Sequence, residues 1–382
     1  MTSRQRLLAA LDRRVPDRLP VTTHHLMPSF LAGFRGGMTE REFFDHFGLD
    51  AIRWVAAADY SAGWGGGTGS DTRSAGLQAR DESDWRVSRE DVPDPSYRTA
   101  CYRIATPRGD LSMVTQDDGR TQWVRERLIK AKRDIELVAR FGPVPRCDVD
   151  EVNREADAFG ERGIVRGAVP GFPIYGQPGC WQDAGVLYGI EALIIETFDD
   201  PGWVVELLGI LRARKLAWLR SSRDARFDLI ELGGGDASST VISPKIFERF
   251  VAPFDAPLIA AAHDAGQRVV YHTCGGMMPI LEQIAAIGPD AMETFTPRAM
   301  GGDADLAAAK RRIGDRVCLI GGFDQFHHFV GCTPDETRRA VRRCFEEAGG
   351  GGGYILAPSD HFFEADEALL RAYADEARTC VY

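Results

Sequence analysis

The sequence predicts a (β/α)8 TIM barrel with an antiparallel β-hairpin insertion in its N-terminal half. Three observations carry that expectation. Short β-rich runs alternate with helical patterns in units of about 30 residues, the rhythm of βαβ units around a parallel sheet. Eight such runs can be counted, the number that closes a barrel. Residues 60–130 break the rhythm with two-residue alternation and turn signals.

The runs are, in order, RLPVTTHH (18–25), DAIRWVA (50–56), GIVRGAVP (163–170) and FDLIELGG (227–234), then RVVYHTC (268–274), AMETFT (291–296), VCLIGG (317–322) and GYILAP (353–358). Between them, Ser243-Pro244 opens a helix reaching about His263, because serine caps free N–H groups and proline at the first helical position loses nothing. Further helices are expected over 279–287, 303–313, after Thr333-Pro334, and over 365–379. WGGGTG (64–69) reads as a loop, and residues 97–128 as hairpins turning at Pro107-Arg108-Gly109-Asp110 and Asp117-Asp118-Gly119, laid over one rim of the barrel. The whole chain, 1–382, is expected to be one domain with 60–130 inserted in it. An open doubly wound sheet is the competing architecture, but no GxGxxG turn follows any of these runs.

With 44% hydrophobic residues the chain can fill a large core, and its formal net charge of -10 disfavours nucleic acid or an anionic membrane as partner. No apolar run approaches the roughly 20 residues a membrane helix needs. The opening MTSRQRLLAALDRRVPDR is charged throughout, so a cytoplasmic protein is expected, with Arg4, Arg6, Arg13, Arg14 and Arg18 on a solvated helix and its exit turn. The eight cysteines are scattered without a CxxC pair, as expected of free thiols in a reducing compartment, and only Cys274 has a histidine two residues away.

Active sites of such barrels lie at the C-terminal strand ends, which sorts the polar residues. His272 and Cys274 end one run, and their spacing puts both on one face, a borderline-soft pair suited to zinc. Asp360 or His361 is the expected third ligand, with Glu231 or a substrate atom as fourth. His24 and Glu293, with Asp236, are the candidate catalytic groups; His25, Tyr175 and Glu231 are candidates for holding substrate. Asp324 reads equally as a cap, and His327-His328 as loop residues. The triple-glycine runs at 233–235 and 351–353 are not P-loops, since no GK[ST] follows.

RQRLLAALDRRVPDRLPV, GGGDASSTVISPKIFERFVAPFDAPLIAAAHDAGQRVVYHTCGGMMPIL, and the closing VCLIGGFDQF, GCTPDETRRAVRRC and GGGYILAPSDHFF resemble, in that order, the uroporphyrinogen decarboxylase superfamily, and in particular its zinc-dependent corrinoid methyltransferase-like bacterial members. The resemblance implies a barrel and a zinc ion held by an HxC pair, matched by His272 and Cys274, and by a later cysteine. This chain has Asp360 or His361 where that cysteine would fall, a harder ligand that leaves zinc more Lewis acidic and leaves room for a methoxy, alcohol or carboxylate ligand.

The resulting expectation is a methyltransferase moving a methyl group between a small methylated substrate or thiol and a corrinoid. No DxHxxG occurs, so the cobamide would arrive on a partner protein; a homodimer is the expected assembly. A metal-independent decarboxylase or lyase is the alternative, weakened because only Arg35 stands near the first strand where that branch carries several arginines. A non-catalytic ligand-binding member of the superfamily is a further one.

Overall fold

The structure, a computed structural model, describes residues 1–59 and 84–382; WGGGTG lies outside the described residues. The strands are β1 (Ala51–Trp54), β2 (Ala58–Asp59), β3 (Arg86–Val92), β4 (Arg98–Thr106), β5 (Gly109–Asp117) and β6 (Gln122–Glu126). They continue with β7 (Arg146–Cys147), β8 (Gly163–Ala168), β9 (Leu229–Gly233), β10 (Arg268–His272), β11 (Ala291–Thr294), β12 (Cys318–Gly321) and β13 (Tyr354–Ile355). Seven form a parallel sheet in the order β1-β8-β9-β10-β11-β12-β13.

The eighth run, 18–25, joins the two edges of that sheet without becoming a regular strand. Val21 bridges Leu356 in parallel, Leu356 N–H donates to Pro20 O, and Asp50 N–H donates to Val21 O. The ladder stays short for two reasons: Pro20 has no N–H to give, and Val21 N–H is taken by the Asp50 carboxylate at 3.0 Å. The barrel is closed by these few bonds.

Alternation along the strands divides the interior in two. Outward residues such as Val165, Ile230, Val269, Tyr271, Met292 and Leu319 pack under the helices. Inward residues Ile52, Ile164, Leu229, Val270, Ala291 and Cys318 form a separate apolar layer, plugged from below by Leu7, Ala10 and Leu11 of helix Ser3–Leu11. This placement corrects the reading of the N-terminal arginines as solvated for Arg4, Arg6 and Arg18, while Arg13 and Arg14 are exposed as expected. Arg6 is buried, with Nη1 2.6 Å from Asp50 Oδ1, and Arg18 reaches Asp50 at 3.2 Å. Arg4 grips Asp228 through both terminal nitrogens at 2.5 Å. The helix lies across the barrel floor, where Asp50 and Asp228 precede β1 and β9.

Helix Pro334–Ala348 begins with a Thr333–Glu336 capping box and a first-turn proline. Ser243 caps Pro244–Ile246 as expected, but the helix passes through a π-type turn, Phe247–Val251, before Ala252–Asp264. The insertion is a four-stranded antiparallel sheet in the order β3-β4-β5-β6. It packs on the loop after β8: the Trp85 and Phe172 rings are 5.8 Å apart, and Tyr175 Oη donates to Gln122 O at 2.8 Å.

Candidate metal-binding site in the barrel mouth

Directly above the apolar layer, the next inward position on five of the seven strands, β1, β8, β9, β10 and β11, is polar or aromatic. Two residues on from Ile52, Ile164, Leu229, Val270 and Ala291 stand Trp54, Arg166, Glu231, His272 and Glu293. Parallel pairing sets His272 beside Glu293 on neighbouring strands. His24, from the irregular first segment, completes the ring.

His24, Glu231, His272 and Glu293 each offer a ligand atom, and these atoms all lie within 4.8 Å of one another. His272 Nδ1 is 3.0 Å from Glu293 Oε1, and His24 Nδ1 is 3.6 Å from Glu293 Oε2. The two imidazoles are stacked, with centroids 5.1 Å apart. Arg166, 1% exposed, donates from Nη1 to Glu293 Oε2 at 2.9 Å and from Nη2 to both Glu293 Oε1 and Glu231 Oε2, the latter at 2.6 Å. Its guanidinium stacks on Trp54, 4.3 Å from the ring centroid, and Trp54 Nε1 donates to His24 O.

Burial alone would raise the Glu293 pKa, but the charges of Arg166 and then His24, with the bond from His272, hold it well below the usual carboxylate range. Burial opposes a charge on His272 too, yet its bonds to Cys274 and Glu293 push it well above the ordinary histidine value. His25 behaves oppositely: burial first, then His24 and Arg166, push it down to about 3, so it is neutral at any physiological pH. Its ring packs on Trp54 at 4.7 Å.

The set of four overlaps the ligands expected from sequence at His272 and at Glu231, the expected fourth; His24 and Glu293 take the places read for Cys274 and for Asp360 or His361. Cys274 is hydrogen-bonded to His272, with Gly235 against its other side: a Cβ there would fall 2.6 Å from Cys274 Sγ. Asp360 is turned onto the His361 ring at 2.8 Å. Burial would raise the Asp360 pKa, but His361, followed by the charges of His24 and His272, lowers it, which places it at the margin of the same cluster. Asp236 and Tyr175 form a second polar group under the insertion, both within reach of the Arg127 charge. Burial raises both of their pKa values.

Arg166 and Trp54 were not singled out from the sequence. The available signal was an arginine in the middle of the apolar run IVRGAV, which only a buried anion can accommodate. A second unanticipated pair braces the loop after β8. Lys215 Nζ binds Asp183 Oδ2 at 2.9 Å and the carbonyls of Pro170 and Gln177, while Asp183 Oδ1 accepts from Phe172 and Gln177 N–H groups.

The uroporphyrinogen decarboxylase (URO-D) family model matches residues 166–377, more than half of the chain. The chain belongs to this family. Among curated URO-D relatives, the uroporphyrinogen decarboxylase of Neisseria meningitidis serogroup B is 25% identical over 237 residues, 59% of this chain and 64% of that protein. The chain therefore spans just under two thirds of that relative's length. The uroporphyrinogen decarboxylase of Nocardia farcinica is 28% identical over 257 residues, covering 62% of this chain and 68% of the relative. A methyltransferase from Methanosarcina mazei has the same fold at a TM-score of 0.63 and 15% identity, covering 99% of this chain and 98% of its own. No helix among the described residues is long and apolar enough to cross a membrane.

Proposed function

We propose that this URO-D family member is a zinc-dependent methyltransferase, moving a methyl group between a small methylated substrate or thiol and a corrinoid carried by a partner protein. The observation that carries the reading is the convergence of His24, Glu231, His272 and Glu293 in the barrel mouth, with Cys274 bonded to His272. Two imidazoles, two carboxylates and an adjacent thiol are a donor set that suits zinc. His24 Nδ1 is moreover buried with no hydrogen-bond partner, the kind of nitrogen an ion would satisfy.

Zinc there would supply Lewis acidity, deprotonating a bound thiol or polarising an ether oxygen. The chain's own residues do the positioning. Glu293 fixes the ring orientation of His272, as carboxylates behind metal-ligating histidines do. Arg166 holds Glu293 and Glu231 in place and keeps two buried carboxylates from repelling each other. Neutral His25 and Trp54 form the adjoining wall of the mouth.

A metal-independent decarboxylase or lyase is the second reading, favoured by Arg166, which already pairs with both carboxylates. Metal analysis and turnover separate the two. Purified protein should carry about one zinc per chain, lost in His272→Ala, and methyl transfer between methylcobalamin and a simple thiol should stop on chelation and return with zinc. Full turnover by rigorously metal-free protein would overturn the proposal.

A further inference from the structure

Outside the barrel wall lies a cavity of about 760 Å³, built between the segments following β11 and β12 and helices Leu306–Ile313 and Pro334–Ala348. It shares no residue with the His24–Glu293 cluster, although Phe295 in its wall stands two residues after Glu293. Its volume lies in the range of about 300–1,000 Å³ typical of small-ligand sites.

The charges around this cavity are unevenly committed. Asp305 caps its helix, accepting from Ala308 N–H at 2.8 Å. Asp324 accepts from His327 N–H at 3.1 Å and lies 2.8 Å from His327 Nδ1. The guanidinium groups of Arg298 and Arg343, by contrast, have no hydrogen-bond or ion-pair partner among the described residues. The charge of Arg343 reaches both His328 and Glu347. His328 Nδ1 is buried with no partner. The cavity thus presents two guanidinium forks beside the carboxylate of Glu347, with the His328 ring in its wall and the unpartnered Nδ1 turned away from it. Phe295, Pro297, Leu306 and Ala340 supply an apolar wall.

A guanidinium fork matches the oxygens of a carboxylate or phosphate. We propose that this cavity is a second binding site, taking a small organic anion with an apolar body through Arg298 and Arg343. The inference does not depend on the reaction assigned to the barrel mouth.

Calorimetric titration of the full chain at low ionic strength with phenyl phosphate, benzoate and inorganic phosphate tests it. One saturable site per chain is expected for phenyl phosphate or benzoate, and which of the two binds tighter identifies the oxyanion. Inorganic phosphate, lacking the apolar body, should bind at least ten-fold more weakly than phenyl phosphate. The exposed positions make Arg298→Ala/Arg343→Ala tolerable to the fold, which circular dichroism checks, and this variant should lose at least ten-fold in affinity. His272→Ala should bind as the parent does, placing the site outside the mouth. Absence of saturable binding to either organic anion overturns the proposal. So does undiminished binding by the arginine double variant, or loss of binding in His272→Ala alone.

Discussion

Replacing Arg166 by methionine is the sharpest test of the barrel-mouth geometry. The side chain is 1% exposed and donates to two carboxylates, Glu293 at 2% and Glu231 at 14% side-chain exposure. Methionine fills a similar volume but removes the guanidinium that opposes both carboxylates at hydrogen-bond distance. Breaking a buried pair by removing one partner costs roughly 3–5 kcal/mol. Because one cation serves two anions here, the upper half of that range is expected, about 4 kcal/mol, partly relieved by protonation of a glutamate. That is a large share of a typical stability of about 5–15 kcal/mol. Urea unfolding in chelator, followed by tryptophan fluorescence, should show the midpoint fall steeply at pH 8 and less at pH 5. Arg166→Met/Glu231→Gln/Glu293→Gln should recover most of the loss, since removing both partners leaves no uncompensated charge. Added zinc should also raise the midpoint of Arg166→Met if the mouth holds the ion. A loss below about 1 kcal/mol at pH 8 would refute the view of Arg166 as the counter-charge of the site.

Asp255 is buried against Tyr271 Oη and Cys180 N–H, and burial raises its pKa from 3.8 to about 6. A raised carboxyl favours the folded state at low pH, so its contribution is complete below about pH 4 and lost as pH rises through about 6, roughly 3 kcal/mol in all. Asp255→Asn should flatten that segment of the stability–pH curve, measured by urea midpoints from pH 4 to pH 8; an unchanged curve would contradict the assignment. Gly235→Ala should destabilise by about 1–3 kcal/mol through overpacking, because its new Cβ would lie 2.6 Å from Cys274 Sγ. Cys274→Ala in the same chain should relieve most of that cost, and equal losses in the single and double variants would show that the contact is not the cause.

Much of the barrel could be read from local pattern. Runs such as RVVYHTC and GYILAP are short apolar stretches with β-branched and aromatic residues, and Thr333-Pro334 carries its own cap, so each announces itself within a few residues. The first run was the hardest to read. RLPVTTHH has the composition of a strand, yet Pro20 and the Asp50 side chain leave it as a bridge. Arg4, Arg6 and Arg18 misled for a similar reason: their partners Asp50 and Asp228 are 32–224 residues away, and such charges read locally as a solvated face.

The site divides along the same line. By itself the sequence placed His272, Glu231 and Glu293 in strand runs and His24 and His25 at the end of the first one. It also put His272 and Cys274 on one face, because strand periodicity decides which residues of a run share a face without reference to any distant residue. Only the tertiary structure decided which of these meet. The register of β10 beside β11 puts Glu293, rather than Asp360 or His361, against His272, and the third run places Arg166 beneath two carboxylates far away in sequence. A ligand set is a matter of strand register and barrel closure, which depend on many weak contacts distributed over the whole chain, whereas the direction of a side chain depends on its own backbone.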